Sequence, residues 1–216
     1  MSCRLRLVAI VAALATMAAT AGEGGGLDPA ERARATLERM TEAEKLALVH
    51  GGLAARWGKE PKPTGAIGSA GFVPGVPRLG VPALQETDAE LGVANPGNIR
   101  RGDLATAMPS NLALASTWDP ALARRQGEAV GSEAQARGFN VLLGGTANLI
   151  RDPRGGRNFE YFSEDPLLTG IMAGAAIAGA QSRRGLISTI KHFALNDQET
   201  DRVVLDVRID RAAARE

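Results

Sequence analysis

A chain of 216 residues with 44% hydrophobic and 23% charged side chains has the makeup of a globular domain, and nothing in it argues for overall disorder. The formal charge of +1 becomes minus 1 without residues 1–21, which leaves 23 basic against 24 acidic residues and gives no support to a nucleic-acid partner. Cys3, the single cysteine, lies in that leading segment, so the remainder has neither a disulfide framework nor a thiolate metal site and must be stabilised by packing.

Residues 1–21 combine a basic start (Arg4, Arg6), an apolar core from Leu7 to Leu14, and small residues at Ala19 and Ala21. This is the pattern of a secretory signal peptide cleaved before Gly22. The apolar run is shorter than the roughly 20 residues that span a bilayer. A periplasmic or secreted protein with no stable membrane anchor is expected, its domain proper being 22–216.

After Gly24–Gly26, Asp28, Pro29 and Glu31 predict a helix start, and Thr41 with Glu44 repeats the capping pattern. Two short helices are expected, ending near His50 before Gly51 and Gly52. Gly51 to Gly80 is rich in glycine and proline and reads as ordered loop. Within it, Gly52 to Lys59 looks like a phosphate loop, but its glycine spacing is one residue too long and Glu60 replaces the magnesium-holding hydroxyl.

Val81 to Gln85 reads as a strand delivering Glu86, Thr87 and Asp88 at its carboxyl end. A long loop from Asn95 to Ser116 follows. A helix capped by Asp119 and Pro120 then runs to Gly138, with Leu122, Ala129 and Ala136 on one face. Phe139 to Leu143 is expected as a strand, and Thr146 to Glu164 as a long polar loop of the kind that carries function. Asp165 and Pro166 start an alanine-rich helix ending at Gly185.

Leu186, Ile187 and Ile190 then predict a buried strand whose end presents Lys191, His192, Asn196, Asp197, Gln198 and Glu199. An extended Val203 to Ile209 and a helix from Asp210 complete the chain. Strand and helix alternate about three times, which argues for an α/β fold with a parallel sheet and crossover helices. Adjacent strand residues point to opposite faces, so Lys191 and His192 act together only if the backbone is irregular there.

Three stretches in order, VPALQETD, RDPRGGRNFEYFSEDP and KHFALNDQET, resemble the amino-terminal barrel domain of the family 3 glycoside hydrolases. The resemblance covers roughly Leu27 onward. It implies a partial (β/α)8 TIM-type barrel, comprising about the first three strand-helix units plus amino-terminal helices. It further implies hydrolysis of terminal β-D-glucosidic bonds from the non-reducing end of β-glucosides or oligosaccharides, by a retaining two-carboxylate mechanism. By resemblance Asp88, Arg157, Lys191 and His192 bind substrate, with Ala89 and Glu90 standing where the usual motif has Gly-Pro. Arg151 and Arg154 are expected to be structural. The nucleophile and the acid/base are implied to lie beyond Glu216, so no catalytic residue is assigned, and Asp197 and Glu199 are read as loop-ordering.

A glucoside offers hydroxyls and no charge, so a ring of charged donors and acceptors suits it, each such hydrogen bond contributing about 1.5–3 kcal/mol. Glycoside hydrolysis by carboxylates needs no cofactor, and two distant histidines make no metal site. A noncatalytic sugar-binding module or remnant is the alternative, although 4% aromatic residues offer few stacking surfaces. Members acting on N-acetylglucosaminides carry a histidine-containing loop that has no match here.

Overall fold

The structure, a computed structural model, describes residues 28–54, 61–192 and 194–215. The expected signal segment and the Lys59–Glu60 end of the phosphate-loop-like stretch lie outside the described residues. The chain divides into two compact units, Met1–Lys45 and Leu46–Glu216.

The first unit holds helix α1 (Pro29–Glu38) and the start of α2 (Glu42–Val49). Their starts follow from the sequence. Asp28 accepts from the Ala30 N–H, and the Glu31 carboxylate accepts from the Asp28 N–H at 3.2 Å. At α2 the Glu44 carboxylate accepts from the Thr41 N–H at 2.8 Å. Caps of this kind contribute about 1 kcal/mol each by pairing N–H groups the helix leaves open.

The second unit is built on a five-stranded sheet in the order β1 (Gly52–Leu53), β2 (Gly71–Val73), β3 (Leu84–Asp88), β4 (Val141–Leu143) and β5 (Ile187–Thr189). β1, β2 and β3 pair antiparallel, whereas β3, β4 and β5 run parallel. Asp88, Leu143 and Thr189 share one register line at the carboxyl ends of the parallel strands. Helices α4 (Pro120–Ala136) and α5 (Pro166–Ala180) make the two crossovers, their starts capped by Asp119 and Asp165 as expected.

Several boundaries differ from expectation. The glycine-rich stretch before Gly80 contributes β1 and β2, which are too short to show a period. The strand expected over Val81–Gln85 lies at Leu84–Asp88. Val81 instead closes a turn with Val76, exchanging two backbone hydrogen bonds around Pro77–Leu79, and Pro82 has no N–H to donate to a sheet. Asp88 is therefore part of the strand. Within the Asn95–Ser116 loop, Ser110 caps a short helix α3 (Asn111–Ala115).

The buried face of α4 is Ala123, Gly127, Val130, Gly131 and Ala134, while Ala129 and Ala136 are exposed. The reason is close helix packing. A Cβ on Gly127 would run into the Ala176 carbonyl of α5, and one on Gly179 into the Arg124 carbonyl of α4. Glycines carry no hydrophobic signal, so the face built on them was not legible. Ala134, Ala180, Phe139, Leu142 and Leu186 share one apolar cluster, and Leu114, Ala123, Phe162 and Met172 another.

Among the described residues β5 pairs only with β4, and it is an edge rather than a buried strand. Leu186 is buried, but Ile187 and Ile190 are each 52% exposed. The extended run expected over Val203–Ile209 and the helix from Asp210 are not formed: turns cover residues 201–204, and Asp210 caps only a 3-10 turn at Ala213–Arg215. With charges at Asp201, Arg202, Asp206 and Arg208 and Val203 88% exposed, this run has no apolar face covered by the described residues.

Asn140, just ahead of β4, fixes that strand against β3. Its side-chain oxygen accepts from the Gln85 N–H at 2.8 Å and its amide donates to the Ala83 carbonyl at 2.8 Å, while its own N–H reaches the Gln85 carbonyl. One residue thereby supplies a full extra rung at the point where Pro82 ends backbone pairing. At mid-strand, buried Thr87 and Ser69 are hydrogen-bonded at 2.8 Å.

Candidate functional site

The carboxyl ends of the three parallel strands gather the candidate side chains. Lys191, two residues past β5, donates to Asp88 Oδ1 at the end of β3 at 2.5 Å and also lies 2.5 Å from Glu90 Oε1. Thr146, past β4, donates to the same Glu90 oxygen at 3.3 Å. All three strand ends thus meet at one ammonium and its carboxylates. Burial opposes the charge on Lys191, but the Glu90 and Asp88 carboxylates outweigh it and raise its pKa above the ordinary lysine value. Burial pushes the Glu90 carboxyl up, against the pull of the Lys191 ammonium.

The Lys191–His192 peptide bond is cis, and regular strand has ended at Thr189. His192 meets a second cluster. Arg157 donates from Nε and NH2 to both oxygens of buried Glu160, at 2.7 and 2.6 Å, and its NH1 lies 3.2 Å from His192 Nε2 and 3.7 Å from Glu199 Oε1. The Arg157 guanidinium fork is therefore largely occupied by Glu160, with NH1 turned to the imidazole. The Glu160 hydrogen bonds, against the cost of burial, raise the Arg157 pKa further. His192 is pushed the other way, by burial first and then by the Arg157 and Lys191 charges, so it favours the neutral ring.

Behind these groups, Tyr161 is buried and donates to the Asn196 carbonyl at 2.8 Å, while the Asn196 amide donates back to the Tyr161 hydroxyl at 3.0 Å. Asn148 donates to Asp197 Oδ1 and accepts from the Asn196 N–H. Glu199 pairs with Arg157 and with Arg202. Asp197 and Glu199 thus tie the loop after β5 to the loop after β4. Arg154 pairs with Asp152 at the surface, where its hydrogen bonds lower the Asp152 carboxyl to about 2. A cavity of about 540 Å³ opens beside this loop, lined by Asp152, Gly156, Asp197, Gln198, Glu199 and Thr200 among others.

Four named residues, Asp88, Arg157, Lys191 and His192, are thus brought to one end of the sheet as two linked clusters. Sequence reasoning missed Glu90 and Glu160. A signal for each existed: Glu90 lies two residues from Asp88, the spacing that returns to the same face of a strand, and Glu160 lies three residues from Arg157, one turn of a tight helix. Counting Asp88, Glu90, Glu160 and Glu199 against Lys191, Arg157 and Arg202, the constellation carries one excess negative charge and its cations are already paired. Such a site suits an uncharged, hydroxyl-rich ligand better than an anion.

Comparison with known proteins agrees with this architecture. The family described as Glycosyl hydrolase family 3 N terminal domain matches residues 69–212. The thermostable beta-glucosidase B of Acetivibrio thermocellus is 43% identical over 147 residues, covering 65% of this chain and 19% of that protein. Among solved structures, beta-glucosidase 3B from Thermotoga neapolitana in complex with alpha-D-glucose superposes with a TM-score of 0.69 at 40% identity, covering 77% of this chain and 23% of that one. DesR, a beta-glucosidase from Streptomyces venezuelae in complex with D-glucose, gives 0.73 at 40% identity, covering 86% and 22%. The chain therefore spans less than a quarter of the length of these relatives. Its fold is part of a TIM-like barrel, represented by three parallel strands and two crossover helices. Residues 69–212 place the chain in glycosyl hydrolase family 3, within its N-terminal domain.

Proposed function

We propose that the protein to which this chain contributes hydrolyses terminal β-D-glucosidic bonds from the non-reducing end with retention of configuration, and that this chain supplies the grip on the terminal sugar through Asp88, Arg157, Lys191 and His192. The observation that carries the reading is the convergence of Lys191 on Asp88 and of His192 on Arg157 at the carboxyl ends of the three parallel strands. That is where barrel enzymes build their sites. Two of its solved relatives are described as complexes with glucose, which supports sugar as the ligand class.

These four residues bind; the retaining reaction also needs two carboxyl groups roughly 5–5.5 Å apart. Asp197 and Glu199 do not fit that role, since each is engaged in holding loops together. The test is an aryl β-glucoside assay on the product of the complete reading frame, with the anomer of released glucose followed by NMR. Release of β-glucose is expected. Glucose binding without hydrolysis would favour a noncatalytic sugar-binding protein, and neither binding nor hydrolysis would overturn both readings.

We also infer export to the periplasm or medium, from Arg4, Arg6, the Leu7–Leu14 run and the small residues at Ala19 and Ala21. Mass spectrometry of the mature protein should find Gly22 at its start; an intact Met1 start on exported protein would count against the signal peptide.

A further inference from the structure

We infer that Glu90 is a positioning residue for the sugar site: it holds the Lys191 ammonium in place from the side opposite to solvent, so that Asp88 stays available to ligand. The inference rests on the glycone reading given above. Its basis is an asymmetry between the two carboxylates on Lys191. Both lie 2.5 Å from Nζ, yet the Glu90 side chain is 10% exposed and the Asp88 side chain 44% exposed. Glu90 also accepts, at the same oxygen, from Thr146, which is itself fully buried and reached from the end of β4. It is the anchored partner, and Asp88 is the accessible one.

The consequence follows from donor arithmetic. An ammonium has three N–H donors and no acceptor. Two are committed to Glu90 and Asp88, which leaves one N–H for a ligand, beside an Asp88 carboxylate that still has accepting capacity. One donor next to one acceptor fits two adjacent hydroxyls of a polyol, one accepting and one donating. Without Glu90 the ammonium would keep Asp88 as its one anionic partner but lose the buried contact that fixes its position, leaving two N–H donors with no set direction. The charged groups facing Lys191 are Asp88 and Glu90, with His192 next to it in the chain and kept toward the neutral form.

The product of the complete reading frame tests this with Glu90→Gln and Glu90→Asp, reading glucose affinity by calorimetry from neutral pH into the alkaline range. Glu90→Gln should weaken glucose binding about tenfold, the loss of one hydrogen bond to a charged group. It should also move the alkaline loss of binding to lower pH, because burial then acts on Lys191 with less opposing charge. Glu90→Asp, which keeps the charge, should retain an alkaline limb nearer that of the parent protein. A role in packing alone would lower stability and leave the alkaline limb where it is, and that result would overturn the inference.

A second readout does not require sugar binding. The pH at which Lys191 begins to be acylated by an amine-specific reagent, followed by peptide mass spectrometry, should lie above that of an added Nα-acetyl-lysine amide standard in the parent protein. It should fall in Glu90→Gln. An onset equal to the standard in the parent, or unmoved by the substitution, would also overturn the inference. Arg157→Ala is the separate control for the sugar reading, since it does not touch Glu90. If glucose binds no form of the protein, the sugar reading fails and the acylation onset alone decides whether Glu90 holds Lys191. Should Glu90→Gln not fold, the parent onset and Glu90→Asp give the answer.

Discussion

Asp88 and Lys191 are 103 residues apart in the chain and 2.5 Å apart in the fold, each at the end of a parallel strand with β4 between them. The contact therefore reports that three strands are paired in register. Removing Lys191 leaves the partly buried Glu90 carboxylate beside Asp88 with no counter-charge. Lys191→Ala should accordingly cost about 2–3 kcal/mol, less than the roughly 3–5 kcal/mol of a fully buried pair because Asp88 is half open to water. Urea unfolding of the complete protein checks this, and a loss below about 0.5 kcal/mol would mean that the triad adds little.

In the same protein, Asp88→Ala, Arg157→Ala and Lys191→Ala should each depress kcat/KM by at least about a hundredfold, since contacts to sugar hydroxyls strengthen as the ring flattens in the transition state. Arg157→Ala carries an added cost, because Glu160 is buried and loses its bidentate partner. Wild-type kinetics after Lys191→Ala would remove that residue from the site.

The α4–α5 contact makes a prediction with opposite signs on one helix. Gly179→Ala drives a methyl into the Arg124 carbonyl and should destabilise by about 3 kcal/mol, as should Gly127→Ala against Ala176. Gly170 and Gly174 have nothing within 4 Å of a built Cβ, so Gly170→Ala and Gly174→Ala should stabilise by about 0.5–1 kcal/mol through helix propensity. Four thermal melts decide it; destabilisation at all four positions would show that the crossing does not discriminate.

His192 gives stability a pH dependence of defined sign. Its pKa is lowered in the fold, so the folded state binds fewer protons there than the unfolded chain. The corresponding stability is present above the unfolded value of about 6.5 and is lost as pH falls below it through the folded value. Lys191 acts at the other end: its pKa is raised, so its contribution is full below the unfolded value of about 10.4 and is lost as pH rises through the folded one. Subtracting the unfolding profile of His192→Asn from that of the parent removes the common carboxyl titrations of Glu86 and Glu90. The difference should fall on acidification below about pH 6.5; a flat difference would contradict the shift.

At β5, among the described residues only β4 pairs with the strand, and Ile187 and Ile190 stand half exposed beside it. Residues 28–215 produced alone should self-associate through this edge, since an unpaired parallel strand with apolar flanks is a template for pairing. Sedimentation should show oligomers that diminish in Ile187→Lys; a monodisperse monomer would show the edge to be covered.

Much of this was legible in the sequence because it was written in local chemistry. Asp28, Thr41, Asp119 and Asp165 each announce a helix by their side-chain oxygens, and the run from Leu186 to His192 shows apolar strand turning into charge. What escaped depends on contacts between distant residues. Pro82 moved the start of β3 because Val81 found Val76 first, and Gly127 and Gly131 formed a packing face that hydrophobic spacing does not register. Glu90 received no role because its partner is Lys191, about a hundred residues on. The run from Val203 to Ile209 has strand composition but finds no neighbouring strand among the described residues, and composition alone does not pair a strand.

The amide of Asn140 has a reach longer than its position at the far end of the sheet implies. Because side chains alternate along a strand, mispairing β3 and β4 by a single step would exchange the faces of Thr87 and Asp88 and aim the carboxylate into the interior. The Asn140 side chain satisfies a donor of β3 at Gln85 and the carbonyl of Ala83 just ahead of it, and a slipped alignment would strand both. A neutral amide with no contact to any candidate sugar-binding side chain thus acts as a proofreader of strand alignment. Asn140→Leu is the variant that separates correct alignment from mere stability: a folded population with native circular dichroism but without the Asp88–Lys191 contact is its expected signature.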